Sequence, residues 1–115
     1  LVYSKLSTYT LTTNVEKGTI LGTAAATLTG NALNNVLTGN NGANSLLGNA
    51  GNDSLIGLAS NDTLNGGLGQ DILTGGAGND IFQFNTALTA SNVDKITDFN
   101  VTDDSIVLKT RSSPN

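Results

Sequence analysis

The chain has no cysteine, histidine, methionine or tryptophan, and aromatic residues make up only 4% of its 115 positions. Without cysteine there is no disulfide framework and no thiol chemistry, so the compartment stays open on that criterion. Without cysteine and histidine, the usual ligands for zinc, copper and iron–sulfur clusters are missing too. Apolar runs are short, and no segment reads as a span across a bilayer. The opening LVYSKLSTYT has neither the basic head nor the apolar core of a signal peptide, and Leu1 is not an initiator methionine. The sequence is therefore expected to be a piece of a longer protein, with any targeting signal lying outside it.

Positive charge is equally scarce. The formal charge is −4 and the isoelectric point about 4.2. Nucleic acid and anionic membrane require a basic footprint and are excluded as partners, whereas a cationic partner suits this balance. No lysine or arginine occurs between Lys17 and Lys95. A chain of this length buries roughly 60–70% of its unfolded surface, and with so few large side chains the core must be modest. Another source of stability is needed.

Glycine is what the sequence has in quantity, and it falls on a fixed beat. From Leu28 the chain divides into blocks of nine: LTGNALNNV, LTGNNGANS, LLGNAGNDS, LIGLASNDT, LNGGLGQDI and LTGGAGNDI, with Phe82 opening the place of a seventh. Position one is Leu28, Leu37, Leu46, Leu55, Leu64 and Leu73, and position three is always glycine. Position eight is Asn35, Asn44, Asp53, Asp62, Asp71 and Asp80. A helix with this period is excluded by the twelve glycines between Gly30 and Gly78, which would cost on the order of 12 kcal/mol relative to alanine. Collagen needs glycine every third residue, and leucine-rich repeats need longer units. Short strands joined by glycine turns remain.

The expected fold is all-β, a parallel β-roll (a two-sheet β-helix, or solenoid) built from nonapeptide repeats, with two blocks of nine to each coil. Leu28, Leu46, Leu64 and Phe82 then stack inside one sheet, opposite Leu37, Leu55 and Leu73 inside the other. Residues 1–27, where Leu11 and Ile20 are nine apart, read as a degenerate N-terminal coil that closes one end. Residues 28–84 form the roll. Residues 85–115 lose the period and read as a C-terminal cap and tail, with a strand at Ile106 to Leu108, a loop before it and a disordered RSSPN end.

One coil apart, Asp53 lies under Asp71 and Asp62 under Asp80. Two carboxylates about 5 Å apart repel by roughly 3 kcal/mol at an effective dielectric of about 20, so the stacking needs a cation between them. Calcium fits best, because it takes six to eight oxygens from carboxylates and carbonyls in flexible geometry, whereas magnesium demands a stricter octahedron and keeps its waters.

These blocks resemble the nonapeptide GGxGxDxUx of the RTX (repeats-in-toxin) family. GGLGQDILT and GGAGNDIFQ match throughout. GNAGNDSLI and GLASNDTLN keep the aspartate but depart at glycine positions, and GNALNNVLT and GNNGANSLL carry asparagine instead. The resemblance implies a Ca2+-binding β-roll of a secreted, extracellular bacterial protein, exported by type I secretion machinery and folding where calcium is abundant. Carried onto this chain, it pairs Asp53 with Asp71 and Asp62 with Asp80. Carbonyls are implied from the turn glycines Gly48, Gly57, Gly66, Gly67, Gly69, Gly75, Gly76 and Gly78. Asn35 and Asn44 form a second, weaker tier that is either empty or held by asparagine hydrogen-bond ladders. Asp94, Asp98, Asp103 and Asp104 lie outside the lattice and read as solvated turn charges.

No catalytic residue is expected. A pair such as Asp53 and Asp71 has the spacing of a retaining glycosidase, but a catalytic pair occurs once and this one recurs. The alternative function is a polysaccharide- or surface-binding module, using the uncharged outward positions Val36, Ser45, Ser54, Thr63, Ile72 and Ile81.

Overall fold

The computed structural model describes residues 1–85 and 93–108. Every regular element in them is a strand: β1 Val2–Ser4, β2 Thr8–Thr10, β3 Lys17–Ile20, β4 Ala26–Thr29, β5 Val36–Thr38, β6 Asn44–Leu47, β7 Ser54–Leu58, β8 Thr63–Asn65, β9 Ile72–Gly76, β10 Ile81–Phe84, β11 Lys95–Ile96 and β12 Ser105–Leu108. Successive strands alternate between two six-stranded sheets, ordered β1-β3-β5-β7-β9-β11 and β12-β10-β8-β6-β4-β2. All the pairings are parallel, so the chain winds as a solenoid with a turn at each edge. The expected RSSPN tail lies outside the described residues.

Such short strands suffice because each needs to bury only one large side chain. In one sheet Leu28 lies opposite Leu46, Leu46 opposite Leu64, and Leu64 opposite Phe82. In the other, Leu37 lies opposite Leu55 and Leu55 opposite Leu73. All seven are fully buried and face one another as a single core with Leu11, Ile20 and Ala26. Fully burying a leucine contributes about 1.5–3 kcal/mol, so the column is the main apolar term. The residues on either side of each core position point outward by the strand alternation, which leaves Ser45 exposed and Ser54 and Thr63 half-buried on the faces.

The N-terminal coils depart from the beat of two blocks per coil. Lys17 pairs with Val36 and Thr8 with Thr27, each one residue further apart than two blocks, while Val2 pairs with Gly18. Gly18 thus stands in the core column opposite Leu37, and the side chain of Leu11 fills the space above it. The added residue lets Leu11 and Ile20 enter the core from a different register than the leucines that follow.

At the C-terminal end the chain takes longer to return. Lys95 pairs with Ile72 and Ser105 with Ile81, so both of the last coils are several residues longer than two blocks. Besides the expected strand at the end, now β12, the stretch read as loop contributes the short strand β11. Phe99 covers the last core ring, its centroid 6.1 Å from that of Phe82.

Candidate metal centre in the stacked turns

The turns form two columns, one along each edge of the roll. One contains the turns ending at Asn35, Asp53 and Asp71, and the other those ending at Asn44, Asp62 and Asp80. From Asn35 to Asp62, each of these positions leads into a strand that pairs with its equivalent two blocks later. All six side chains are buried.

A single contact links each rung to the next. The N–H of Asn35 donates to Asp53 Oδ1 at 2.7 Å, and that of Asp53 to Asp71 Oδ1 at 2.8 Å. On the other edge Asn44 donates to Asp62 Oδ1 at 2.7 Å and Asp62 to Asp80 Oδ1 at 3.0 Å. Each carboxylate therefore spends one oxygen on the coil beneath it. The second oxygen, Oδ2 of Asp53, Asp62, Asp71 and Asp80, is buried with no hydrogen-bond partner. An unsatisfied buried anionic oxygen is costly, and four of them at one repeat position call for a common ligand.

Glycine makes room for those oxygens. A Cβ on Gly48 would collide with Asp53 Oδ2 and would stand 2.6 Å from the carbonyl oxygen of Gly66 in the turn above. Gly57 stands in the same relation to Asp62 Oδ2 and the Gly75 carbonyl. Each of these two Oδ2 atoms thus shares a small space with a carbonyl of the next coil. The carbonyls of Asn49 and Gly51 face Gly67 and Gly69, and those of Leu58 and Ser60 face Gly76 and Gly78, closely enough that a Cβ on any of these glycines would strike them. Gly51 is the motif's own glycine, whereas Asn49, Leu58 and Ser60 offer their carbonyls from motif glycine positions that hold other residues.

The electrostatics agree with the geometry. Burial, partly offset by the backbone N–H donor, pushes Asp53, Asp62 and Asp71 up to about 7, and neighbouring carboxylates push the same way. Asp80 is raised for the same first cause, with Asp104 and Asp98 adding to it. Among the described residues no three acidic side chains group closely enough to hold a metal unaided. Any cation here draws on backbone carbonyls, which suits a hard oxygen-seeking ion and excludes one that needs nitrogen or sulfur.

The asparagine turns are built differently. Asn35 Oδ1 accepts the N–H of Asn31 at 2.8 Å, and Asn44 Oδ1 accepts that of Asn40 at 2.7 Å. Their amide nitrogens donate to Asn31 Oδ1 and Asn40 Oδ1, both at 3.0 Å. A second ladder runs along the turns one residue earlier in the block: Asn52 N–H donates to Asn34 Oδ1, Gln70 N–H to Asn52 Oδ1 and Asn79 N–H to Asn61 Oδ1.

Three of the four aspartates read as solvated turn charges are nothing of the kind. Asp94 Oδ1 accepts the N–H of Asp71 at 2.9 Å, and Asp104 Oδ1 accepts that of Asp80 at 3.0 Å. They extend both ladders by a rung, and the longer return of the chain hid them from a count of nine. Asp98 accepts the N–H groups of Gly75 and Gly76 at 3.0 and 2.7 Å. Asp103 alone is exposed, as expected.

Fold and turns together define a two-sheet parallel β-solenoid whose edges carry columns of buried carboxylates beside inward carbonyls. The model of the RTX calcium-binding nonapeptide repeat (4 copies) matches residues 22–55, 29–64 and 47–82, more than half of the chain, and the chain belongs to this family. Its repeats are calcium-binding, and Ca2+ is the ion they take. No curated protein and no solved structure matches the chain. No helix among the described residues is long and apolar enough to cross a membrane.

Proposed function

We propose that the chain is a calcium-dependent folding module, a β-roll that closes on binding extracellular Ca2+ and so supports the export and stability of a larger secreted bacterial protein. The observation that carries this reading is the set of four buried Oδ2 atoms without a donor, one per turn from Asp53 to Asp80. The turns ending at Asp53 and Asp71 on one edge, and at Asp62 and Asp80 on the other, would hold the ions. Gly48 and Gly57 leave the space, and the carbonyls of Gly66 and Gly75 would supply oxygen from the coil above. When bound, calcium supplies the positive charge that these carboxylates lack.

The chain's own part is to fix the oxygens. Each Asp Oδ1 is anchored by the N–H one coil below, which leaves Oδ2 pointing into the shared space. Asn35 and Asn44 have their side-chain oxygens engaged within their own turns, so their tier is the weaker one. Where calcium is scarce, the buried carboxylates oppose stacking, and the chain stays open for passage through a type I secretion machinery. Where it is abundant, a ligand that binds only the folded form stabilises by about 2.7 kcal/mol per site at a hundredfold excess over Kd.

Calcium titration of the chelator-treated chain, followed by far-ultraviolet circular dichroism and thermal melting, tests this reading. A gain of β signal and a rise in Tm that saturate with calcium support it. Unchanged spectra and Tm refute it.

A further inference from the structure

The turns below and above the aspartate columns close in different ways. On the N-terminal side, Asn31 Nδ2 donates to the carbonyls of Thr12 and Val15 in the turn beneath, at 2.8 and 2.7 Å. On the opposite edge Asn40 Nδ2 donates to the Ala24 carbonyl at 2.9 Å and the Leu21 carbonyl at 3.5 Å. In both places a neutral amide group fills the space between two coils and offers its hydrogens to the carbonyls there. These turns are plugged by the chain itself.

On the C-terminal side the chain abandons the nonapeptide spacing yet rebuilds the same turn. The N–H of Asn100 donates to Asp104 Oδ2 at 2.8 Å, as Asn31 does to Asn35 four residues on. The N–H of Thr102 donates to Asn100 Oδ1 at 3.0 Å, as Leu33 does to Asn31 at 2.9 Å. The difference lies in the amide nitrogen. Asn100 Nδ2 donates sideways to Asp103 Oδ2 at 3.2 Å, within its own turn. The carboxylate of Asp80 lies directly beneath with its Oδ2 unpartnered, and the residue is only 1% exposed. Asp104 above it is itself buried, and Asp98 sits on the backbone N–H groups of Gly75 and Gly76.

We propose that the turn 98–104, outside the repeat, closes a further calcium-type cation site over the last nonapeptide, with Asp80 below and Asp104 and Asp98 above. Three carboxylates are not grouped closely enough to hold a metal unaided. By the repeat, the carbonyls at block positions four and six face the turn above, as those of Leu58 and Ser60 do, and in the last turn these belong to Gly76 and Gly78. Binding there ties residues 93–108 to the roll, so the C-terminal end closes only when the cation is present. This inference rests on the calcium reading but concerns an ion that the repeat pattern does not count.

Native mass spectrometry of the whole chain at saturating calcium counts the ions, and hydrogen exchange reports docking. The Ser105 N–H donates to the Asp80 carbonyl at 2.8 Å and serves as the reporter. Asp104→Asn keeps an oxygen for the Asp80 N–H but loses the charge and the Oδ2 that accepts the Asn100 N–H. The ion count, with Ser105 exchange compared in calcium and in chelator, therefore carries the decision. The variant should bind one ion fewer and exchange Ser105 at least about tenfold faster, with exchange at Ser54 unchanged. Asp98→Asn should raise the calcium concentration needed to protect Ser105, and carries the decision alone if Asp104→Asn does not fold. Glu16→Gln, exposed and outside the turn 98–104, should match the parent chain. Equal ion counts and equal Ser105 protection in the parent, Asp104→Asn and Asp98→Asn chains overturn the inference and leave the calcium reading standing. A parent chain that binds no calcium overturns both.

Discussion

The backbone N–H of Asp53 donates to Oδ1 of Asp71, 2.8 Å away and one full coil along the stack. This divides the Asp71 carboxylate into a structural oxygen and a free one, and the two are separable by mutation. Asp71→Asn keeps an acceptor for Asp53 but removes the charge. It should cost the calcium-linked part of stability, about 2.7 kcal/mol per site at a hundredfold excess, while leaving the chelated chain as stable or more so. Asp71→Ala also strands the Asp53 N–H, adding about 1–3 kcal/mol with or without calcium. Denaturation midpoints in calcium and in chelator separate the cases. Glu16→Ala, at an exposed position away from both columns of aspartates, should change neither.

Glycine substitutions should sort by what stands in front of the missing Cβ. Gly48→Ala would drive a methyl group into Asp53 Oδ2 and the Gly66 carbonyl, so calcium affinity should fall at least tenfold by calorimetry. Gly22 has φ +85 but nothing within 4 Å of a Cβ. Gly22→Ala should cost about 1 kcal/mol of conformational strain and leave calcium affinity unchanged.

The turn GLASND should be improvable. Leu58 sits at φ 86 and Ser60 at φ 72, where side chains are strained, and Leu58 is 42% exposed. Leu58→Gly forfeits little burial and should stabilise the roll by about 1 kcal/mol or more. The gain should appear in the denaturation midpoint both with calcium and without it.

Protonation should act in opposite directions on the two forms. Burial holds Asp53, Asp62 and Asp71 near 7 in the fold, whereas an unfolded aspartate titrates near about 3.9. A raised folded pKa means that folding takes up protons. The stability it contributes is complete below the unfolded value and is lost as pH rises through about 7. The chelated chain should therefore melt higher at pH 5.5 than at pH 8, and the calcium-loaded chain, whose carboxylates must be ionised, should do the reverse. Melting at both pH values with and without calcium checks the crossing.

Much of this architecture can be read from the spacing of a few residues. Leu28, Leu46 and Leu64 recur every second block, and a strand that buries a single side chain has only one register that keeps it inside. Asp53 and Asp71 follow from the same arithmetic. Asp94 and Asp104 escaped it because their coils take a longer path back to the sheet, and a longer loop keeps the register without keeping the count. Leu11 escaped in part for the same reason, since its coil runs one residue over two blocks and its side chain serves the space over Gly18. The amides of Asn31 and Asn40 were visible as asparagine, but their role as plugs depends on carbonyls of Thr12, Val15 and Ala24 that no side-chain pattern records.

On the proposed reading the aspartate rungs need a cation to stay stacked, and residue-resolved hydrogen exchange in calcium and in chelator measures that need coil by coil. The N–H groups of Ser54, Ile72 and Ile81 bridge to the carbonyls of Asn35, Asp53 and Asp62 across the coils, each at 2.8 Å. Their protection should collapse on chelation by about a hundredfold per ion lost, with a smaller change at Thr27, on the plugged N-terminal coils. Equal protection of Ser54, Ile72 and Ile81 in both buffers would contradict the account.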